Sequence, residues 1–341
     1  MAYTTIKKPS DYFNTKLYTG NGSTQSITGV GFQPNWIWLK NRDQIQSHGL
    51  FDSVRGADKW LASNTSDAET NYGGGYGVLS FDSDGFTVGN GSAINGSGQK
   101  IVGWNWLASN TTASNTDGSI ASTVSANTTS GFSIVSYTGT GSAGTVGHGL
   151  GAAPSVIWTK TLSNVEQWFC HWSVLGTGNF MKLDQNVAAG TNATAFPWNP
   201  QTDTFGLSSD GATNTNGRTY IAYCFADVKG FSKFGSYVGN GSTDGTFVYT
   251  GFKPAFVIIK RTDSADWWGM FDNKRLGYNE LNYILFANEN YAEDSTVPID
   301  LLSNGFKIRN TNGGLNASGG SYIYMAFAEE PLVGDNPATA R

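Results

Sequence analysis

Apolar residues come in short runs separated by glycine- and asparagine-containing turns, and no stretch sustains a helical period. Trp36-Ile37-Trp38-Leu39 follows Pro34 and reads as a strand that begins where no ladder N–H is needed and is buried on both faces. Elsewhere large residues alternate with small ones: Trp104 and Trp106 against Gly103 and Asn105, Tyr223 and Phe225 against Ala222 and Cys224, Met325 and Phe327 against Tyr324 and Ala326. A period of two puts the large set on one face of a strand. The small set lets a neighbouring layer approach, as between the sheets of a sandwich. Short strands with frequent turn signals predict an all-β chain of sandwich or jelly-roll type.

Four blocks recur three times in the same order. The first is Tyr18 to Ser23, Tyr137 to Ser142 and Tyr237 to Ser242; the second runs to Lys40, Lys160 and Lys260 through Pro34, Pro154 and Pro254. A polar turn into a strand follows at Asp84-Gly85-Phe86, Asp203-Thr204-Phe205 and Asn304-Gly305-Phe306, and the alternating stretches above close each copy. The expectation is three tandem β-sandwich, jelly-roll-like repeats of about 100 residues, at 11–109, 131–227 and 228–330. Residues 1–10 are read as an N-terminal anchor segment and 331–341 as a polar C-terminal tail. The Ser/Thr/Asn-rich stretch 110–130 is read as a linker with one strand at Ser119 to Val124. Copies one and three share Phe51-Asp52 with Arg55 and Phe271-Asp272 with Arg275, followed by Leu61-Ala62-Ser63-Asn64 and Leu285-Phe286-Ala287-Asn288. Copy two has Cys170-His171-Trp172-Ser173 instead and lacks the Phe-Asp pair and the arginine.

Charged residues are 14% of the 341, against about 25% in an average globular domain. The 44 glycines stand beside 11 Trp, 15 Tyr and 20 Phe, an aromatic content that argues for packed cores and against disorder. A net charge of −5 offers no basic field for phosphates, so nucleic acid is not an expected partner. No apolar run approaches the ~20 residues of a membrane span, and the first ten residues lack the apolar core of a signal peptide, so membrane insertion and secretion are not expected. Synthesis in the cytoplasm makes Cys170 and Cys224 reduced, buried thiols.

Chemistry-bearing motifs are sparse. Gly139 to Gly144 satisfies the spacing of a dinucleotide fingerprint but matches plain turns in the other copies and opens no helix, so it is a hairpin. His48, His148 and His171 lack metal-ligand spacing, and Asp82-Ser83-Asp84-Gly85 lacks the rest of a calcium loop, so no metal or cofactor is expected. No nucleophile elbow and no carboxylate pair stands out, which points away from an enzyme. Sugar binding is the small-ligand activity the composition favours. Trp60, Trp168, Trp267 and Trp268 lie in the variable middle of the copies, where surface loops carry specificity, and are the candidate binding residues.

With these blocks laid out, the chain resembles a family of tail-fibre-like and uncharacterised structural proteins of marine bacteriophages. The resemblance rests on Pro9 to Phe13, Tyr18 to Ser23, Leu50 to Gly56 and Gly131 to Gly139. It implies a virion component made in the host cytoplasm, with other virion proteins as partners. A tail-fibre or receptor-binding subunit touching host surface glycans is the leading expectation, and a capsid fibre or head decoration protein the alternative. A polysaccharide-degrading spike enzyme and a secreted cellular lectin are the competing classes. The analogy with phage fibres favours a homotrimer, against which stands a pseudo-threefold packing of the three copies inside one chain.

Overall fold

The computed structural model describes residues 4–71, 73–281, 283–335 and 337–338. The outermost parts of the expected anchor segment and tail, residues 1–3, 336 and 339–341, lie outside the described residues. The fold is all-β: the described residues form antiparallel sheets with three one-turn α-helices, Ser92–Asn95, Gly211–Asn214 and Gly313–Asn316. No helix among the described residues is long and apolar enough to cross a membrane.

Three times over, four strands assemble in one order. Phe13–Thr19, Lys100–Trp106, Trp36–Asn41 and Gly49–Asp52 lie side by side in the first unit. In the second the strands are Phe132–Thr138, Thr219–Phe225, Val156–Thr161 and Phe169–Trp172. Ser232–Val238, Ser321–Pro331, Phe252–Arg261 and Trp268–Asp272 repeat the order in the third. Registers agree: Trp36 sits between Trp106 and Asp52, Val156 between Phe225 and Trp172, Phe256 between Phe327 and Asp272. Pro34 and Pro154 precede their strands, whereas Pro254 falls inside one, at a break in register on its pairing with the last strand.

A small outer sheet covers one face of each inner sheet and encloses a local core, for example Ile37, Leu39, Phe51 and Phe86 in the first unit. The other face of every inner sheet meets a single core shared by all three units. Trp36 stacks on Tyr223 with ring centroids 4.6 Å apart, Phe13 on Phe327 at 5.2 Å, and Trp172 leans on Trp268 at 5.5 Å, so each pair of units is in direct aromatic contact.

The units close as a ring through matching hydrogen bonds. Glu69 N–H donates to Leu162 O, Ala189 N–H to Thr262 O and Glu293 N–H to Arg42 O, linking first to second, second to third and third to first. Gln46, Glu166 and Asp266 N–H donate in the reverse sense to Asn290, Ser66 and Asn186. Loops buried at a joint must have their polar groups paired, and these bonds do it. Lys40, Lys160 and Lys260 are fully buried at the same joints. Each amine donates to the carbonyl of the next residue, and Lys40 and Lys160 also reach Asn290 O and Ser66 O of the neighbouring unit at 3.3 Å. Burial pulls the Lys40 amine down to about 7 and those of Lys160 and Lys260 to about 8.

The Phe-Asp/Arg element is a joint as well. Asp52 accepts from Arg55 and from the Tyr223 hydroxyl of the second unit at 2.8 Å; Asp272 accepts from Arg275 and from the Trp104 indole of the first unit at 3.1 Å. The corresponding residue of the second unit is Trp172, and the position matching Tyr223 and Trp104 in the third unit is Met325; both belong to the shared core. Where the acid is lost, so is the donor that would face it.

Two expectations need correction. Residues 110–130 are not a linker with one strand: Ala113–Asn115 and Ser122–Asn127 are two strands that extend the second inner sheet beyond Phe132–Thr138. Side-chain bonds such as Ser125 Oγ to Ser109 O and Asn127 Nδ2 to Ala108 O tie them down, and Ile120 and Val124 are buried in the local core of the second unit. The described part of 1–10 is not a free anchor either, because Ile6 is buried in the shared core and Pro9 is buried nearby.

Three outcomes follow from the shared core. Residues 131–227 expressed alone bare Trp158, Trp172 and Phe225, and are expected to bind apolar dyes and to melt without a cooperative transition; a sharp two-state denaturant curve would contradict this. Asp272→Ala leaves the buried Arg275 guanidinium with Glu293 as its remaining carboxylate and the Trp104 indole without its acceptor, and is expected to cost about 3 kcal/mol, read from the urea midpoint of the full chain. The lysines set a pH dependence. Their folded values lie below the unfolded ~10.4, so above pH ~7 the unfolded chain holds more protons and stability rises with pH. Above about pH 8.5 the unfolded cysteine thiols ionise and make the rise shallower without reversing it, because two thiols oppose three lysines. Urea midpoints are expected to climb above pH ~7, and Lys40→Met to remove most of the climb below pH 8.

Candidate functional site

The four candidate tryptophans part company. Trp168 and Trp268 are wholly inside the shared core, so neither can offer a face to a sugar. Their indole N–H groups donate to the neighbouring unit, Trp168 to Ala62 O at 2.8 Å and Trp268 to Lys182 O at 3.0 Å. His48 holds the matching place in the first unit. Its Nδ1 accepts from the Trp38 indole at 2.8 Å, which leaves Nε2–H to donate to Phe286 O of the third unit at 3.0 Å. Burial, with the Lys40 charge nearby, keeps this imidazole well below its usual range and therefore neutral. The three backbone N–H groups beside these rings donate to Asn64, Asp184 and Asn288 side chains.

Trp60 does reach a surface cleft. It lines a space of about 390 Å³ together with Gln46, Ser47, Asp67, Thr70 and Tyr76. Phe51 meets the Trp60 ring edge-on at 5.3 Å and fixes its orientation, while Tyr76 is 48% exposed. The wall carrying Thr65, Asp67 and Ala68 is held from the second unit: Ser66 O accepts from Glu166 N–H and Lys160 Nζ, and Glu69 N–H is bound by Leu162 O. An aromatic floor with polar edges suits a flat ligand that has one apolar face and many hydroxyls.

The cleft exists because two residues of the first unit are small. Ser47 and Ala62 correspond to Trp267 and Phe286 in the third unit, whose rings lie 5.2 Å apart and leave a space of only about 10 Å³. Trp267, 39% exposed, is thus the plug of a cleft. In the second unit Gln167 and Lys182 stand at these positions.

Tyr18, Tyr137 and Tyr237 hold equivalent posts. Each hydroxyl donates to a carbonyl of a one-turn helix: Ile94 at 2.6 Å, Thr213 at 2.7 Å and Leu315 at 2.6 Å. The next helical residue is a buried asparagine that sequence reasoning missed. Asn95 Oδ1 accepts from Asn21 N–H and its Nδ2 donates to Ser23 O and Gly89 O; Asn214 and Asn316 do the same with Thr140, Ser142 and Ser208, and with Asn240, Ser242 and Asn310. The turn glycine packs against this helix so closely that a Cβ on Gly20 would lie 2.3 Å from Gly96 O. These residues are structural.

Asp84 uses both carboxylate oxygens on the Gly29 and Gly31 N–H groups, and these bonds hold it below its usual range. Among the described residues no three His, Cys, Asp or Glu side chains are grouped so as to hold a metal ion. Both cysteines are free and buried, and burial pushes their thiols up.

No curated protein matches the chain, and no solved structure does. The profile of a family described as a domain of unknown function, DUF7483, matches residues 8–331, a span that takes in all three units. The chain belongs to the DUF7483 family.

Proposed function

We propose that this protein is a non-enzymatic bacteriophage virion component of tail-fibre or receptor-binding type, and that it contacts host surface glycans through the cleft on its first unit. The observation that carries the reading is that the exposed Tyr76 and the largely buried Trp60 line one cleft together with Gln46, Ser47, Asp67 and Thr70. Ring faces cover the apolar side of a sugar, and the amide, hydroxyl and carboxylate edges bond its hydroxyls. Among the described lining residues Asp67 is the one carboxylate, whereas glycoside hydrolysis ordinarily uses two. The virion setting comes from the resemblance carried by Pro9 to Phe13, Leu50 to Gly56 and Gly131 to Gly139. A ring of units locked by a shared core suits a rigid external part.

Titrating the full chain with host envelope polysaccharide fragments, followed by ligand-observed NMR, tests the reading. Wild type is expected to bind, and Tyr76→Ala to weaken binding roughly 3- to 10-fold, the worth of one aromatic contact. Equal binding by wild type and variant, or none by either, would remove the cleft as a glycan site. New reducing ends in the mixture would make the protein an enzyme.

A further inference from the structure

The outer sheets of the three units end in comparable edge strands, Gln25–Thr28, Gly144–Gly147 and Phe247–Tyr249. In the third, the Val248 carbonyl lies over Gly305 of the paired strand, so the main-chain groups of Phe247 and Tyr249 point away from their own sheet. The second unit shows what seats on such an edge. Ser119 and Ile120 lie alongside it, Ile120 N–H donating to Thr145 O at 2.9 Å and Ser122 Oγ to Gly147 O at 2.8 Å. By register, Thr145 and Gly147 are the counterparts of Phe247 and Tyr249.

The side chains differ in the same place. Val238, Phe247 and Tyr249 are 59%, 43% and 56% exposed. The first unit carries Thr19, Ser26 and Thr28 there, and the second Thr138, Thr145 and Gly147. An open edge with apolar side chains is a template for another strand unless something covers it.

We propose that a second copy of this chain covers it, the two Phe247–Tyr249 strands pairing antiparallel about a twofold axis through Val248. The edge is self-complementary under that operation. Its outward-bonding residues flank Val248, so each Phe247 meets the mate's Tyr249 as a hydrogen-bonded pair, their rings side by side on one face. Two three-stranded sheets become one of six strands. Lys307, which pairs with Phe247 in register, has its amine bound by Asp244 and sets no bare charge against the mate.

Sedimentation equilibrium of the full chain from about 1 to 100 µM tests this. Wild type is expected to approach twice the 36.4 kDa chain mass. The double variant Phe247→Ser with Tyr249→Thr carries the residues the first unit already uses at these positions, so it keeps the fold, and it is expected to stay monomeric. A wild type that is monomeric throughout, one that settles at a trimer, or a dimer that survives both substitutions would overturn the proposal.

Discussion

A sheet that is apolar on both faces has to be covered on both sides. Each inner sheet here has one small outer sheet of its own, which covers a single face. The second face carries the largest side chains in the molecule, Trp36, Trp38, Trp104, Trp106, Trp158 and Trp172 among them, and only the other two units are placed to bury it. Burial of a large side chain stabilises by about 1.5–3 kcal/mol, so leaving such a face wet would exceed the net stability of an ordinary domain. Ring closure follows from this. It also explains the buried lysines and indoles at the joints: bringing three units together traps loop carbonyls, and Lys40, Lys160, Trp168, Trp268 and His48 supply the donors those carbonyls need.

The strands were legible because their signal is local. Period-two alternation and the recurring Tyr, Pro and Lys mark the strand blocks and the all-β class directly. What covers a face is not local. The alternation of Trp104 and Trp106 with Gly103 and Asn105 reads naturally as packing between the two sheets of one sandwich, yet the large set faces the other units and the small set faces the unit's own outer sheet. The same gap hides the candidate site. Trp267 and Trp268 are neighbours in sequence and point to opposite faces, one to the surface and one into the shared core. Residues 110–130 read as a linker because their buried apolar side chains are few, Ile120 and Val124, and hydroxyl and amide bonds supply the rest of the attachment. Asn95, Asn214 and Asn316 left a trace in the aligned stretches Ser92–Asn95, Gly211–Asn214 and Gly313–Asn316, too short to register as a block without the helix that joins them.

Linking three units in one chain lets their joints differ, which identical subunits cannot do. In a homotrimer an Asp→Trp change would appear at all three joints at once, each opposite an unchanged donor, and would leave three buried arginines without the carboxylate that their Nε–H donates to. Here the change is confined to Trp172, and Met325 stands where Tyr223 and Trp104 offer donors to Asp52 and Asp272. Both solutions are physically sound, since a buried ion pair and a packed apolar pair of similar volume differ little in net stability. The outer surface has diverged further because the shared core does not constrain it. Ser47 and Ala62 open a cleft that Trp267 and Phe286 fill in the third unit, and the edge that Ile120 covers in the second unit lies open and aromatic in the third. The inner faces must stay apolar and matched, and that requirement leaves each outer face free to take a different contact.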